Sequence, residues 1–357
     1  MAGPEHDDVR VDATELERFV RAVLAAVGID DLAGDAMADA IVAADRRGVD
    51  SHGVTRLEAY VTMLEAGGIN GDPDVTVERT APAALRVDAD HGPGQLAAAE
   101  AMDAATEAAA DAGVACATVT DSNHFGLAGY YAERASDRGY IGLVTTNADA
   151  TVAPYGGTEP VFGTNPIAVS IPTPRSFPIT VDLATSAASL GAVELAAAAG
   201  ADVPSEWGLD ESGEPTTDPD AVTALRPLGG PKGFGLALVV DVLSGVLSGA
   251  GISATRVGLY DDPGSSMGIG HAVAAIDVGA FRDREAFLAD IDELIATITS
   301  IPPRPDVEEV RLPGQGAART RRERDEHGIP LDEKVLGTLD TLADRYGVDP
   351  VDRFPNV

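Results

Sequence analysis

Apolar and polar positions along the chain change texture twice. Residues 12–28 open with an Asp/Thr start, place Leu16, Phe19, Val20, Val23, Leu24 and Val27 at helical spacing and stop at Gly28, which predicts an amphipathic helix. A second helix is expected over 35–47 on Met37, Ile41 and Val42, and a third over 51–66, closed by Gly67-Gly68. From about 75 the period shortens to two, in Val75-Thr76-Val77 and Ala84-Leu85-Arg86-Val87-Asp88, as in strands. Gly92-Pro93-Gly94-Gln95 turns into an Ala-rich helix over 96–112, followed by a strand (114–120), a helix (127–138) and a strand (140–145), a β-α-β-α-β rhythm. The third texture is broken by Pro and Gly over 151–172 and resumes with a strand through Ile179-Thr180-Val181-Asp182 and a helix near 187–199. A surface excursion over 202–220, a helix over 234–248, a strand over 271–277, a helix near 283–299 and a Pro-rich linker (302–305) lead to a helical tail. There is no internal repeat.

Composition narrows the class. With 357 residues, 45% of them hydrophobic, the chain is long enough for about two domains with their own cores. The net charge of -33 arises from 58 acidic against 25 basic residues, and Lys232 and Lys334 are the only lysines. Such a surface repels nucleic acid and anionic membranes. It reads as adaptation to a salty cytoplasm, where an acidic shell keeps a protein dissolved under strong screening. Cys116 is the single cysteine, which rules out an intrachain disulfide and a cysteine-based metal cluster. Its surroundings, 114–119, read as a buried strand with the thiol as a small core hydrophobe. Met1–Asp8 lacks the charged start and apolar run of a signal peptide. The most apolar helix, 234–248, is too short for a membrane span and carries Asp241.

The stretch from Arg47 to Tyr60 carries the densest candidate chemistry. His52, Arg56 and Tyr60 lie four apart, so a helix sets an imidazole, a guanidinium and a phenol on one face. Gly48 and Gly53 permit close approach of a ligand or another segment. The same spacing suits a solvated face on which Arg56 and Tyr60 snorkel. His124 stands at a strand-to-helix transition, where ligands usually meet an α/β scaffold, or where a histidine simply caps a helix. Gly229-Gly230-Pro231-Lys232-Gly233 feeds a helix N-terminus that favours anions, and its lysine is conspicuous in a chain that otherwise uses arginine. Asp182 is either the N-cap of the helix that follows or a group that orients a histidine or binds a ribose. Ser244, Gly245, Ser248 and Gly249 form a small-residue face suited to close packing, and Arg319–Arg324 reads as a solvated helix face. No G-x-G-x-x-G follows a strand, and neither G-x-x-x-x-G-K-[ST] nor H-E-x-x-H occurs. That disfavours a Rossmann site, a P-loop and a zinc hydrolase.

Asp50-Ser51-His52-Gly53 with Arg56, Ser122-Asn123-His124-Phe125-Gly126, Gly163-Thr164-Asn165-Pro166, Asp182-Leu183-Ala184-Thr185-Ser186, Gly230-Pro231-Lys232-Gly233 and Pro313-Gly314-Gln315 occur in this order. In that combination the chain resembles the malate/L-lactate dehydrogenase family of type 2, which includes ureidoglycolate, sulfolactate and diketogulonate oxidoreductases. The resemblance implies an α/β, non-Rossmann protein with a largely antiparallel central sheet. By analogy a cofactor domain at 79–304 is inserted between helical parts 1–78 and 305–357, the last packing with the first. It further implies NAD or NADP as cofactor, a small carboxylate substrate, no metal and a homodimer or higher oligomer. Catalytic roles would fall on His52, His124 and Asp182, and substrate contacts on Ser51, Arg56 and Tyr60. Cofactor contacts would fall on Asn147, Ala148, Asp182, Leu183, Ala184, Lys232, Gly314 and Gln315. Leu183 stands where methionine is usual and Gln315 where glutamate is common. The implied reaction is hydride transfer between nicotinamide and a 2-hydroxy acid such as malate, lactate, ureidoglycolate or sulfolactate, with His52 preferred as proton carrier. A cofactor-independent lyase or hydrolase, or a binding protein without turnover, is the alternative of another class.

Overall fold

The computed structural model describes residues 9–354, so Met1–Asp8, on which the signal-peptide reading falls, lies outside the described residues. The chain starts with β1 (Val9–Val11), α1 (Ala13–Val27) and α2 (Asp31–Arg46). Asp12 caps α1 by accepting from the Thr14 and Glu15 N–H groups, and Gly28 ends it in the left-handed region. The helix expected over 51–66 is different. Two 3-10 turns, Asp50–His52 and Val54–Arg56, precede α3 (Leu57–Ala66).

Next come β2 (Thr76–Ala81), β3 (Ala84–Asp88), α4 (Gly94–Ala112), β4 (Val114–Ser122), α5 (Ala128–Ser136), β5 (Tyr140–Thr146), β6 (Ile167–Ile171) and β7 (Ile179–Leu183). After α6 (Leu190–Ala198), the expected excursion is a small sheet of β8 (Gly208–Leu209), β9 (Pro215–Thr216) and β10 (Ala224–Leu225). The chain continues with α7 (Pro231–Val240), β11 (Ile269–Asp277), α8 (Val278–Phe281), α9 (Arg284–Thr299), α10 (Gln315–His327), β12 (Ile329–Leu331), α11 (Glu333–Tyr346) and β13 (Arg353–Phe354).

The central sheet has seven strands in the order β2-β3-β4-β11-β5-β6-β7. Its neighbours are antiparallel except for β3 and β4, which α4 connects. β4 and β5 are thus not partners: β11, some 120 residues later in the chain, is inserted between them, as in the pairing of His271 with Thr146. The α/β fold with a largely antiparallel sheet is therefore as the resemblance implied. The alanines of α4 let it lie close on one face of the sheet, where Ala97, Ala98, Ala101 and Ala105 join Ala117, Val119, Val144 and Val273 in one core.

Cys116 is on β4 but exposed, a correction to the expected core thiol: Ala115, Ala117 and Val119 take the buried positions, and the period of two puts Cys116 on the opposite face. On that face the helix expected over 234–248 starts earlier, at Pro231, and widens into a π-turn over Asp241–Val246. Here the small residues do pack closely, since a side chain at Gly270 would meet the Ser244 carbonyl at 1.9 Å.

A second core joins α1, α2, α3 and α11, and the three-stranded sheet β12-β1-β13 ties the two ends of the chain together. The expected boundary at 78/79 falls inside β2. Among the described residues no helix is long and apolar enough to cross a membrane.

Candidate active site

The turns that replace the first half of the expected third helix have a local cause. Asp45, fully buried near the end of α2, directs its carboxyl at Gly53, where any side chain would lie 1.8 Å from Oδ1, and accepts a hydrogen bond from the Val54 N–H at 2.8 Å. Burial pushes the Asp45 carboxyl well above the usual range. From the far end of the chain Arg324 on α10 donates to the Asp45 carbonyl and to the Asp50 carboxylate. Arg324 is thus not on a solvated face; it pins the turn that carries Ser51 and His52.

His52, Arg56 and Tyr60 do not share one α-helix, because His52 and Arg56 end the two 3-10 turns and only Tyr60 is on α3. Two of the three converge on His124 instead. Tyr60 is fully buried and its phenol lies 2.6 Å from His124 Nδ1. The His52 ring stacks on that of His124 at 5.9 Å between centroids, and the Ser51 hydroxyl lies 2.9 Å from His52 Nδ1. Arg56 donates from Nε to the Ser51 carbonyl at 2.6 Å and from a terminal nitrogen to the Tyr260 phenol, whose ring it overlies at 5.6 Å. Both histidines are neutral at ordinary pH. Burial, then the Arg56 charge, lowers His52 to about 4. Burial first, then His52, Arg56 and His271, holds His124 well below its usual value.

The Gly126 N–H also points at His124 Nδ1, at 3.3 Å. A nitrogen that accepts from a backbone donor carries no proton, so these bonds assign His124 as the Nε2–H tautomer with the Tyr60 phenol donating to Nδ1. The loop that holds His124 is fixed from below. Asn123 donates to the His91 and Gly92 carbonyls and accepts from the Met267 N–H. Phe125 stacks on buried His271 at 4.6 Å, and His271 bridges the Thr146 and Ser122 hydroxyls at 2.8 and 2.9 Å.

The residues assigned to the cofactor by resemblance gather mostly at one end of β7. The Asp182 carboxylate accepts from the Gly129 N–H at 2.6 Å, in the first turn of α5, the helix that follows the His124 loop. The residue lies on an exposed edge strand, but its carboxyl tip is turned inward, and desolvation there raises it to about 6. It does not cap the following helix, whose N-cap is Ser189, and its hydrogen bond goes to Gly129 rather than to either imidazole. The Pro313 carbonyl accepts from the Thr180 N–H, and Gly314 (φ 85°) lies so close to β7 that a Cβ would be 2.9 Å from the Pro178 carbonyl. Gln315 turns back to accept from the Leu312 N–H. The Leu228 N–H donates to the Thr185 carbonyl, which brings the loop of exposed Lys232 to the same place, beside Leu183 and Ala184. A cleft of about 550 Å³, lined in part by Tyr155, Arg226 and Gly230, opens next to that loop. Asn147 and Ala148 differ from the rest. The buried Asn147 amide bridges the Gly251 carbonyl and the Gly270 N–H, and the Ala148 N–H donates to Asn165.

Sequence reasoning passed over Asp45, Gln95, Tyr260 and His271. Two left a signal: Gln95 is the one polar side chain opening an Ala-rich helix, and His271 interrupts an apolar strand.

The sequence profile of the Malate/L-lactate dehydrogenase family matches residues 11–340. A malate dehydrogenase from Pyrococcus horikoshii is 38% identical over 96% of this chain and 96% of its own length. An L-sulfolactate dehydrogenase from Methanothermobacter thermautotrophicus is 36% identical over 94% of this chain and 96% of its own. Among solved structures, a malate dehydrogenase from Pyrococcus horikoshii superposes with a TM-score of 0.89 at 35% identity, covering 98% of this chain and 99% of that one.

Proposed function

The chain belongs to the malate/L-lactate dehydrogenase family and is a 2-hydroxy acid dehydrogenase, and we propose that it interconverts a 2-hydroxy and a 2-oxo acid with NAD or NADP at the cleft between the His52–His124 pair and the end of β7. The observation that carries this reading is the stacking of two imidazoles beside an arginine, with α5, the helix that follows the His124 loop, bound at Gly129 by the Asp182 carboxylate of β7. A bound nicotinamide supplies the hydride donor or acceptor.

The residues at β7 fit such a group. Asp182 offers a carboxylate to a ribose, and Lys232 stands exposed at a helix N-terminus where a phosphate is favoured. Asn147 belongs to the scaffold under this reading, its amide being engaged by backbone on both sides.

On the substrate side Arg56 grips the carboxylate in place of the Tyr260 phenol. His124, fixed as the Nε2–H tautomer, donates to the oxygen on C2; a neutral imidazole can polarise a carbonyl in this way. His52, with Nδ1 toward Ser51 and Nε2 free, takes the hydroxyl proton during oxidation and returns it during reduction. Binding of a carboxylate at Arg56 offsets the charge that helps to depress His52, so substrate raises the proton affinity of the group that needs it.

A panel of 2-oxo acids with NADH and with NADPH, followed by nicotinamide absorbance in molar salt, tests the reading and ranks substrates. No oxidation with any acid, together with no nicotinamide binding by fluorescence, would return the chain to the lyase, hydrolase or binding-protein alternatives. The acid shell supports a high-salt cytoplasm as the working medium. Leu236, Val239, Val242 and Val246 form an exposed apolar face on α7 and its π-turn, which supports a homodimer with this face at the interface. Light scattering of the wild type against Val239→Asp tests it, since a face outside the interface would leave the mass unchanged.

A further inference from the structure

Gln95 is 1% exposed, and neither its amide oxygen nor its amide nitrogen has a hydrogen-bond partner in the protein. Most buried side-chain amides are satisfied, so one left with a free donor and a free acceptor calls for an explanation in its surroundings. Those surroundings are the proton-bearing side of the site. Gln95 is the second residue of α4, a helix whose N-cap, Pro93, contributes no side-chain hydrogen bond. Gly94, just before it, is pressed against the 123–124 backbone so closely that a Cβ would lie 2.1 Å from the Asn123 carbonyl and 2.9 Å from that of His124. On the other side the neighbouring Leu96 packs in the same core as Tyr60. Burial raises the Tyr60 phenol, and the Arg56 charge and, least, the nearby Gln95 amide act against that rise.

We propose that Gln95 is a positioning residue for the reaction: its buried amide donates from Nε2 to the Tyr60 oxygen, which leaves the phenol proton directed at His124 Nδ1 and keeps His124 in the Nε2–H form. The order of donors is then Gln95, Tyr60, His124, substrate oxygen. An amide that presents Nε2 to the phenol and a Gly126 N–H directed at His124 Nδ1 favour the same polarity along the row. A glutamate at the same place would reverse it. As a carboxylate it would accept the phenol proton, Tyr60 would then accept from His124 Nδ1–H, and Nε2 would face the substrate without a proton. As a neutral acid it would donate as the amide does.

This inference rests on the role given to His124 above, and the test separates the two. Gln95→Met keeps the shape and removes both polar atoms; Gln95→Glu keeps the shape and makes the polarity depend on pH. The His124 ring nitrogens are observed in isotope-labelled enzyme, assigned by their loss in His124→Gln, and turnover is measured across pH for each form. The expected result is an Nε2–H wild type, a Gln95→Met enzyme with mixed tautomers and kcat down about tenfold at a nearly unchanged KM for the acid, and a Gln95→Glu enzyme whose rate relative to wild type falls as pH rises. If wild-type His124 is Nε2–H but both variants keep the wild-type rate, pH profile and tautomer, Gln95 has no positioning role while His124 retains its own. If wild-type His124 carries its proton on Nδ1, both the His124 assignment and the relay are overturned.

Discussion

The histidine cluster and the end of β7 are linked through the start of α5, which follows the His124 loop and donates from Gly129 to Asp182, and they are built in opposite ways. The cluster is made of side chains, Tyr60, His124 and His271, that are bonded to one another or to neighbouring strands, with Tyr60 and His271 fully buried. The β7 side is made largely of backbone at an exposed sheet edge, with Gly314 and the 228–233 loop brought up by main-chain hydrogen bonds and Lys232 left free in solvent. Proton chemistry needs fixed tautomers and low-dielectric surroundings, which only a packed interior supplies. A large cofactor that must enter and leave is better held at an edge, where N–H groups and a cation meet it without rearrangement of the core.

Four experiments put this contrast to the test. The largest effect is expected from His52→Ala, which should lower kcat by about 10²–10⁴ by removing the proton carrier, read by nicotinamide absorbance. Full turnover in the variant would hand that role to His124. Arg56→Lys comes next: it keeps the charge but loses the two-pronged grip, and the KM for the oxo acid should rise by about 10- to 100-fold with kcat less affected. Equal KM values would show that the carboxylate binds elsewhere.

At the β7 end, Lys232→Ala should raise the KM for the cofactor by about three- to tenfold, in keeping with one partly screened charge contact, and leave that for the acid nearly alone. An unchanged cofactor KM would remove Lys232 from the edge. The smallest effect concerns pH and stability. His271 is depressed to about 3 by burial, so its contribution to stability is complete above the unfolded value of 6.5 and is lost as pH falls toward the folded one. His271→Gln should flatten the dependence of unfolding free energy on pH, between about pH 6 and 4, by up to about 1.4 kcal/mol per pH unit. Denaturant melts of the two proteins in parallel measure it, and identical slopes would mean that His271 is not held neutral.

The two sides were also unequally legible in the sequence. Side chains with distinctive chemistry announced the first: His52, Arg56 and Tyr60 stood out by spacing and His124 by its place after a strand. What spacing missed was the break at Gly53, because it is imposed by Asp45 and Arg324, and helical periodicity carries no information about a carboxyl arriving from another element. Nor could it show that Tyr60 meets His124, a contact 64 residues apart that follows from tertiary packing. At the β7 edge Lys232 and Asp182 also stood out by chemistry, but Leu183, Ala184, Gly314 and Gln315 were reached only through the family resemblance, since apolar and backbone groups leave no residue signature. Helix α1 was readable almost to the residue, from Asp12 to Gly28, because cap and periodicity agree. Strand order was not, because the insertion of β11 between β4 and β5 depends on pairing across distant parts of the chain. Cys116 was misplaced for a simpler reason: its strand was right, but alternation alone does not say which face is covered.

The grip of Arg324 on Asp50 and on the Asp45 carbonyl has a consequence for how the enzyme comes into being. The contact joins positions 274 residues apart, and β1 likewise finds both of its partner strands, β12 and β13, only near the end of the chain. During synthesis from the N-terminus, the turn that shapes the proton-transfer site therefore lacks its clamp until nearly all of the protein has been made, whereas the β2-β3-β4 layer with α4 can assemble earlier from contacts close in sequence. Nascent chains stalled before residue 324 should protect that layer against proteolysis while leaving the 47–56 turn open to cleavage. The enzyme would thus acquire its catalytic geometry last, as its two ends close on each other.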